Sequence, residues 1–223
     1  MSTNGMGARL QGEENFHRCC QAFLKLSDQL RDGWTWESVK SSNEGYLRKT
    51  SLRSVSVHSG ASWIPAADEE TNEDFDHHCH EDAVSSQVIQ YEYHILYSCS
   101  YMNPVLYFRA FTLEGRSLSL DQVCRSVHPH FRLRLQQSPL TTITQQEHPL
   151  LGQPFFMLHP CRTEEFMKPV VQIEKEQHSQ VNYILTWLSS VGPLVGLDVS
   201  LKYPILQRQL SEPEECPEPF PPS

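Results

Sequence analysis

The segment QVIQYEYHILYS, residues 87–98, alternates between two kinds of side chain and therefore constrains the fold most strongly. This period of two is typical of a β-strand with one face in the core, and it excludes an amphipathic helix. The segment VLYFRAF, residues 105–111, follows an Asn103-Pro104 turn and is almost continuously apolar, so we predict a central strand covered on both faces. Glu92 and His94 share the polar face of the first strand. They could serve acid–base chemistry, but we favour a solvent-facing pair.

Flanking segments predict the remaining elements. Apolar residues recur at helical spacing over residues 16–30, before Gly33, and over residues 181–191, before Gly192-Pro193. Residues 35–40 and 46–57 read as a hairpin, residues 120–127 as a short helix, and residues 138–150 as a loop. About four antiparallel strands with helices before and after them predict an α+β domain.

The acidic residues are concentrated in two segments. Residues 58–86 contain eight acidic residues and residues 211–223 contain four, with no Lys or Arg in either segment. We therefore predict a flexible N-terminus at 1–13, one domain at 14–202 with a flexible acidic insertion at 58–86, and a disordered Pro/Glu-rich tail at 203–223. Without these twelve, 15 of the 27 acidic residues remain against 18 basic ones. This body has no basic stripe for nucleic acid, and no apolar run approaches the ~20 residues of a transmembrane helix.

The seven cysteines and the absence of a secretory segment favour a reduced, cytoplasmic location without disulfides. One cluster, HHCHED at residues 77–82, consists entirely of possible metal ligands. Adjacent residues cannot all point at one ion, so a solvated acidic loop is the favoured interpretation. We predict no metal site and no cofactor.

Cys161 stands in the segment GQPFFMLHPCRTEEF, residues 152–166, and two interpretations compete for it. It is either a core thiol or a nucleophile carried to the rim of a sheet. Arg162, Lys168 and a helix beginning near Thr163 would lower the pKa of the thiol and favour the thiolate, which can hold an acyl group as a thioester. A papain-type protease is disfavoured because His178 is the only histidine after Cys161. The residues alone leave both interpretations open.

Three blocks of sequence carry a resemblance to a known family. Residues 91–110, 142–161 and 182–197 together resemble the autophagy-related protein ten family of E2-like enzymes. The related autophagy-related protein three family shares the His-Pro-Cys centre and transfers a different modifier to a lipid. The resemblance implies a variant ubiquitin-conjugating fold, with a four-stranded antiparallel sheet, helices on one face and Cys161 at the sheet edge.

The resemblance also implies a mechanism. An E1-like enzyme, autophagy-related protein seven, would pass the ubiquitin-like modifier autophagy-related protein twelve to Cys161 as a thioester. A lysine of autophagy-related protein five would then attack, which supports autophagosome formation. Ordinary ubiquitin-conjugating enzymes stabilise the oxyanion with an Asn of a His-Pro-Asn motif, which this chain lacks. His159 is the candidate donor, with Thr144 and Gln145 as weaker ones, although His159 could equally be a structural turn residue.

Three other functions remain open at this point. The chain could transfer a modifier to phosphatidylethanolamine, as the protein three family does. A cysteine hydrolase would also form a thioester, but it needs a general base, and no downstream His–Asn pair is present. A non-enzymatic adaptor could use the acidic insertion and tail as docking segments.

Overall fold

The computed structural model describes residues 12–39, 44–58, 84–126, 143–160 and 182–211, together with residues 163, 167 and 172. Cys161, the cluster at residues 77–82 and residues 59–83 of the predicted insertion lie outside the described residues. The described part has one antiparallel sheet with flanking helices, so the predicted α+β class is confirmed.

The sheet has six strands where the sequence predicted four. Their order is β1-β2-β3-β4-β6-β5, and each neighbouring pair is antiparallel. The bounds are β1 Thr35–Ser38, β2 Gly45–His58, β3 Val84–Ser98, β4 Asn103–Thr112, β5 Ile143–Glu147 and β6 Pro154–Leu158. The predicted loop at 138–150 therefore contains a strand. Its sequence ITQQE has no apolar alternation because β5 is an edge strand with a mostly exposed surface.

The inner face of the sheet packs against the helices and forms the main core. The alternation predicted one face for Ile89, Tyr91, Tyr93, Ile95 and Tyr97. The first four are at most 3% exposed, and Tyr97 is half-buried against the same core. The helices are α1 Glu13–Leu30, α2 Leu120–Ser126, α3 Tyr183–Val191 and α4 Tyr203–Ser211, with a 3-10 turn at Gly192–Val195. The predicted helices at 16–30, 120–127 and 181–191 are thus confirmed. Each fully buried large side chain contributes roughly 1.5–3 kcal/mol.

Asn182 joins the N-terminus of α3 to α1. Its Oδ1 accepts a hydrogen bond from the main-chain N–H of Leu185 at 3.1 Å, which caps the helix. Its Nδ2 donates to the main-chain oxygen of Cys19 in α1 at 2.9 Å. The Asn182 side chain therefore caps the N-terminus of α3 and fixes the position of this helix against α1.

The predicted disordered tail from residue 203 is wrong for its first residues, because these form α4. Tyr203 is 1% exposed, and its hydroxyl donates to Asp32 Oδ2 at 2.5 Å. Lys49 Nζ lies 3.3 Å from the same carboxylate oxygen. Burial of an aromatic ring with a satisfied hydroxyl stabilises the first turn of α4. The Pro-rich composition of the later tail concealed this local signal.

The outer face of the sheet carries a second, smaller core. Its buried members are Tyr46, Leu96, Val105, Tyr107, Phe155 and Met157. Residues 105–108 of β4 are all buried, which confirms the prediction of a central strand covered on both faces. The last three residues of β6 pair with residues 106–108 of this central strand. The C-terminal end of β6 therefore lies in a well-buried part of the sheet.

Candidate active site at the end of strand β6

The His-Pro step, residues 159–160, follows the C-terminal end of β6 directly and lies at the rim of the sheet. Leu158, the last residue of the strand, pairs with Leu106 of β4 and with Ile143 of β5. His159 follows it half-buried, and Pro160 is buried. The main-chain N–H of Thr163 donates back to the oxygen of Pro160 at 3.0 Å. This hydrogen bond joins the end of the His-Pro step to Thr163.

The imidazole of His159 is held by an aromatic residue from the neighbouring turn. Tyr101, between β3 and β4, places its hydroxyl 3.1 Å from His159 Nε2. The two rings meet edge to face, with centroids 5.2 Å apart. Tyr101 itself is 43% exposed. The His159 ring is therefore oriented by a specific contact while it remains close to solvent.

The turn that carries Tyr101 is itself fixed by hydrogen bonds. Asn103 Nδ2 donates to the main-chain oxygen of Tyr101 at 2.9 Å, and Tyr183 Oη donates to Asn103 Oδ1 at 3.3 Å. Met102 adopts a left-handed conformation with φ of 50°. Since Tyr183 is the first residue of α3, this chain of contacts couples the helix layer to the position of His159.

The sequence pointed to His159 but not to Tyr101, Asn103 or Tyr183. The turn predicted at Asn103-Pro104 lies just before these residues, at 99–102, because Asn103 and Pro104 already pair with β3. Tyr101 in this turn and His159 are 58 residues apart in the sequence. Only the antiparallel register, in which β4 separates β3 from β6, brings the turn and the end of β6 together. A period-two pattern specifies faces and does not specify register.

The two weaker oxyanion candidates lie further along the sheet edge. Thr144 pairs with Met157 and Gln145 with Phe156, so both lie away from the strand end where His159 begins. Within the described part of the chain, the buried hydroxyl oxygen of Thr144 has no hydrogen-bond partner.

A second polar cluster lies on the outer face, under the turn between β5 and β6. The prediction that Glu92 and His94 face solvent is wrong, because Glu92 is 7% and His94 0% exposed. His148, from the turn after β5, is also fully buried and covers them. Its Nε2 lies 3.0 Å from His94 Nδ1, and His94 Nε2 lies 3.1 Å from Glu92 Oε1.

The protonation states in this cluster follow from its hydrogen bonds. The main-chain N–H groups of Leu150 and Leu151 both donate to His148 Nδ1, at 3.3 Å and 3.2 Å. His148 must then carry its proton on Nε2 and donate to His94 Nδ1. His94 in turn carries its proton on Nε2 and donates to Glu92. Both rings are neutral, and all four ring nitrogens have partners.

Charges around the cluster reinforce this arrangement. Glu92 accepts from Arg109 Nε at 2.6 Å and from Arg48 Nε at 2.8 Å. The hydrogen bonds from His94 and the two arginines hold the pKa of the Glu92 carboxyl well below its usual value. Burial lowers the pKa of His94 and lowers that of His148 to about 4, with His94 and Arg109 adding to the effect on His148.

These contacts make the outer-face cluster a structural element. His148 and Pro154 lie at one end of the β5–β6 hairpin, whereas His159 follows the other end of β6. Five residues of strand correspond to about 16 Å. In the part of the chain that is described, no group of three His, Cys, Asp or Glu residues could hold a metal ion. The described helices also include none that is long and apolar enough to cross a membrane.

The four described cysteines are free thiols in different environments. Cys20 is fully buried, and burial raises the pKa of its thiol, so it behaves as a small core residue. Cys19 and Cys124 are half-buried. Cys99, in the turn between β3 and β4, is exposed.

Comparison with known proteins identifies the family. The family model described as "Autophagocytosis associated protein, active-site domain" matches residues 15–202. The chain is 48% identical over 201 residues to the human protein named ubiquitin-like-conjugating enzyme ATG10, with coverage of 86% of this chain and 91% of that protein. It is 34% identical over 211 residues to the Arabidopsis thaliana protein of the same name, with coverage of 85% and 92%.

These matches span the sheet, the helices and the His-Pro step, and they confirm the resemblance that the three sequence blocks predicted. The chain therefore belongs to the family of autophagocytosis-associated proteins with an active-site domain, the E2-like conjugating enzymes of autophagy.

Proposed function

We propose that Cys161 is the nucleophile of this E2-like enzyme and that His159 assists the acyl transfer. The observation that carries the proposal is the position of His159, two residues before Cys161 at the end of β6, with Tyr101 Oη 3.1 Å from its Nε2. An active-site group needs to be both oriented and accessible. Among the described histidines, His94 and His148 are buried and saturated, which leaves them unsuited to this task.

The reaction proceeds in two acyl transfers. The Cys161 thiolate attacks the thioester carbonyl at the C-terminal glycine of the modifier, and the activating enzyme's thiolate leaves. The amine of an acceptor lysine then attacks the Cys161 thioester. A C–N bond forms, the C–S bond breaks, Cys161 departs as a thiolate, and the ammonium loses a proton. Each attack places negative charge on the carbonyl oxygen, and a hydrogen bond from the His159 imidazole would stabilise that charge.

The partners belong to the same proposal. The modifier is autophagy-related protein twelve, the donor is the E1-like autophagy-related protein seven, and the acceptor is a lysine of autophagy-related protein five. The support is the name ATG10 carried by relatives that match this chain over most of their length. The site of action would be the cytoplasm. ATP is consumed by the activating enzyme, so this chain would need no cofactor.

A loading assay tests the proposal. The chain is incubated with activating enzyme, ATP and modifier, and the products are separated on reducing and non-reducing gels. We expect a slower band that disappears with thiol for the wild type and persists under thiol for Cys161→Ser, because an oxyester resists thiols.

Cys99→Ser is the matched control, since it removes an exposed thiol from a neighbouring turn. It should load like the wild type, with a band that thiol removes. A thiol-sensitive band that survives in Cys161→Ser, or no band with a folded wild-type chain, would contradict the assignment.

A further inference from the structure

The first strand leaves one edge of the sheet open. Among the described residues, β1 pairs only with β2, so it forms the edge opposite β5. An edge strand presents unpaired N–H and C=O groups that can bind another extended chain. Its sequence, TWES, contains neither proline nor lysine, two residues that often protect such edges.

A groove runs beside this open edge. It has a volume of about 980 Å³ and lies between β1 and the first half of α1. Glu13, Glu14 and His17 of α1 line one side, and Trp36 and Ser38 of β1 line the other. An extended peptide that paired with β1 would therefore find space for its side chains next to the helix.

The aromatic floor of the groove is fixed before any ligand binds. The Trp36 ring lies against the His17 ring, with centroids 4.3 Å apart. The indole also packs directly against Gly45 of β2. A Cβ at Gly45 would approach the Trp36 ring to 2.5 Å, so only glycine permits this position of the indole. A pre-organised apolar surface lowers the entropic cost of binding.

The charge around the groove selects the kind of ligand. Glu13 and Glu14 are exposed on its rim. Arg18 is the single basic residue of the lining, and its guanidinium already donates to Asn15 Oδ1 at 2.5 Å. Neither glutamate forms an ion pair with another described residue. The local charge is therefore negative.

We propose that β1 and this groove bind an extended segment of a partner protein that carries Lys or Arg at alternate positions. The segment would add to the sheet as a further strand next to β1, with main-chain hydrogen bonds giving affinity and the glutamates selecting basic side chains. β1 is four strand positions from β6, or about 19 Å. The partner would thus bind without covering His159, and the proposal is independent of the role of Cys161.

Fluorescence polarisation of the full chain with a labelled peptide, KTKVRVTK, tests the proposal. We expect saturable binding that weakens at least tenfold in the Glu13→Lys/Glu14→Lys variant. The Glu114→Lys/Asp121→Lys variant is the matched control, because it makes the same change in net charge outside the groove and should bind normally. A peptide with N-methyl groups on alternate residues of one edge should lose binding, since it cannot pair with a strand.

Amide chemical-shift changes in an NMR titration should be confined to β1 and the first half of α1. The proposal is overturned if the peptide does not bind at millimolar concentration, or if a peptide with Glu in place of Lys and Arg binds equally well. Equal loss in the two charge variants would show non-specific attraction and would also overturn it. If light scattering shows that β1 pairs with a second copy of this chain, the edge is an interface between copies and the proposal is wrong.

Discussion

The histidines on the outer face of the sheet and the histidine after the C-terminal end of β6 lie in opposite environments. On the outer face, His148 and His94 are fully buried, and every ring nitrogen has a partner. After β6, His159 is half-buried and is oriented by Tyr101, which is itself exposed. Residue type alone therefore does not identify a catalytic histidine. Access and orientation separate the functional site from the structural one.

The largest expected effect comes from His159→Ala. If the imidazole stabilises the oxyanion, its loss should slow single-turnover transfer from the Cys161 thioester by about 100-fold or more, as for other oxyanion donors. The free energy of unfolding should change by less than about 1 kcal/mol, because the ring is only half-buried. Quench-flow gels and urea titrations measure the two quantities. A rate within threefold of the wild type would make His159 the structural turn residue.

His148→Ala should produce the reverse pattern. Removing the ring leaves a cavity and takes away the partner of His94 Nδ1 and of two main-chain N–H groups. We expect a loss of about 2–4 kcal/mol in the free energy of unfolding, measured by urea denaturation. The transfer rate of the folded, loaded fraction should stay within about threefold. A stable variant with abolished transfer would show that the outer-face cluster belongs to the active site.

The buried pair should also make stability depend on pH. The pKa of His148 is about 4 in the folded chain, below the usual value near 6.5, and that of His94 is also lowered. The unfolded chain therefore binds more protons between these values, so stability is full above pH 6.5 and falls as pH decreases toward 4.

The expected loss is about 1–3 kcal/mol, read from urea midpoints across this range. His148→Gln should flatten the profile. Identical profiles for the wild type and His148→Gln would contradict the neutral, buried state of the pair.

The smallest effect is expected for Tyr101→Phe. This change removes the hydroxyl that contacts His159 but keeps the ring edge. One hydrogen bond is worth about 1 kcal/mol, so transfer should slow several-fold with little change in stability. Met102→Ala is a matched control in the same turn, because Met102 is 62% exposed and should tolerate truncation. Equal rates for Tyr101→Phe and the wild type would remove Tyr101 from the site.

Much of the fold could be predicted because β3 and the helices carry strong periodic patterns. The alternation in residues 87–98 identified the inner face correctly, and the apolar run in β4 identified the doubly covered strand. The same alternation gave the wrong environment for Glu92 and His94. His148, which covers both side chains, lies 54 residues beyond His94 in the sequence. No local sequence pattern indicates that contact.

The site was only partly predictable for the same reason. The His-Pro-Cys sequence drew attention to His159, but the residue that orients it comes from the turn between β3 and β4, 58 residues away in the sequence. β5 was missed because an exposed edge strand needs no apolar alternation. The start of α4 was missed because one buried tyrosine preceded a segment whose composition suggests disorder.

The most direct test of the account is a set of double-mutant cycles on the single-turnover transfer rate. Tyr101→Phe should slow the wild type but add nothing in the His159→Ala background, because Tyr101 acts through His159. The effects of His148→Gln and His159→Ala on the rate should multiply independently, since His148 precedes β6 and His159 follows it, and five residues of strand span about 16 Å. A full additional effect of Tyr101→Phe in the His159→Ala background would contradict this account. Strong coupling between His148 and His159 would also contradict it, because it would join the structural histidine to the catalytic one.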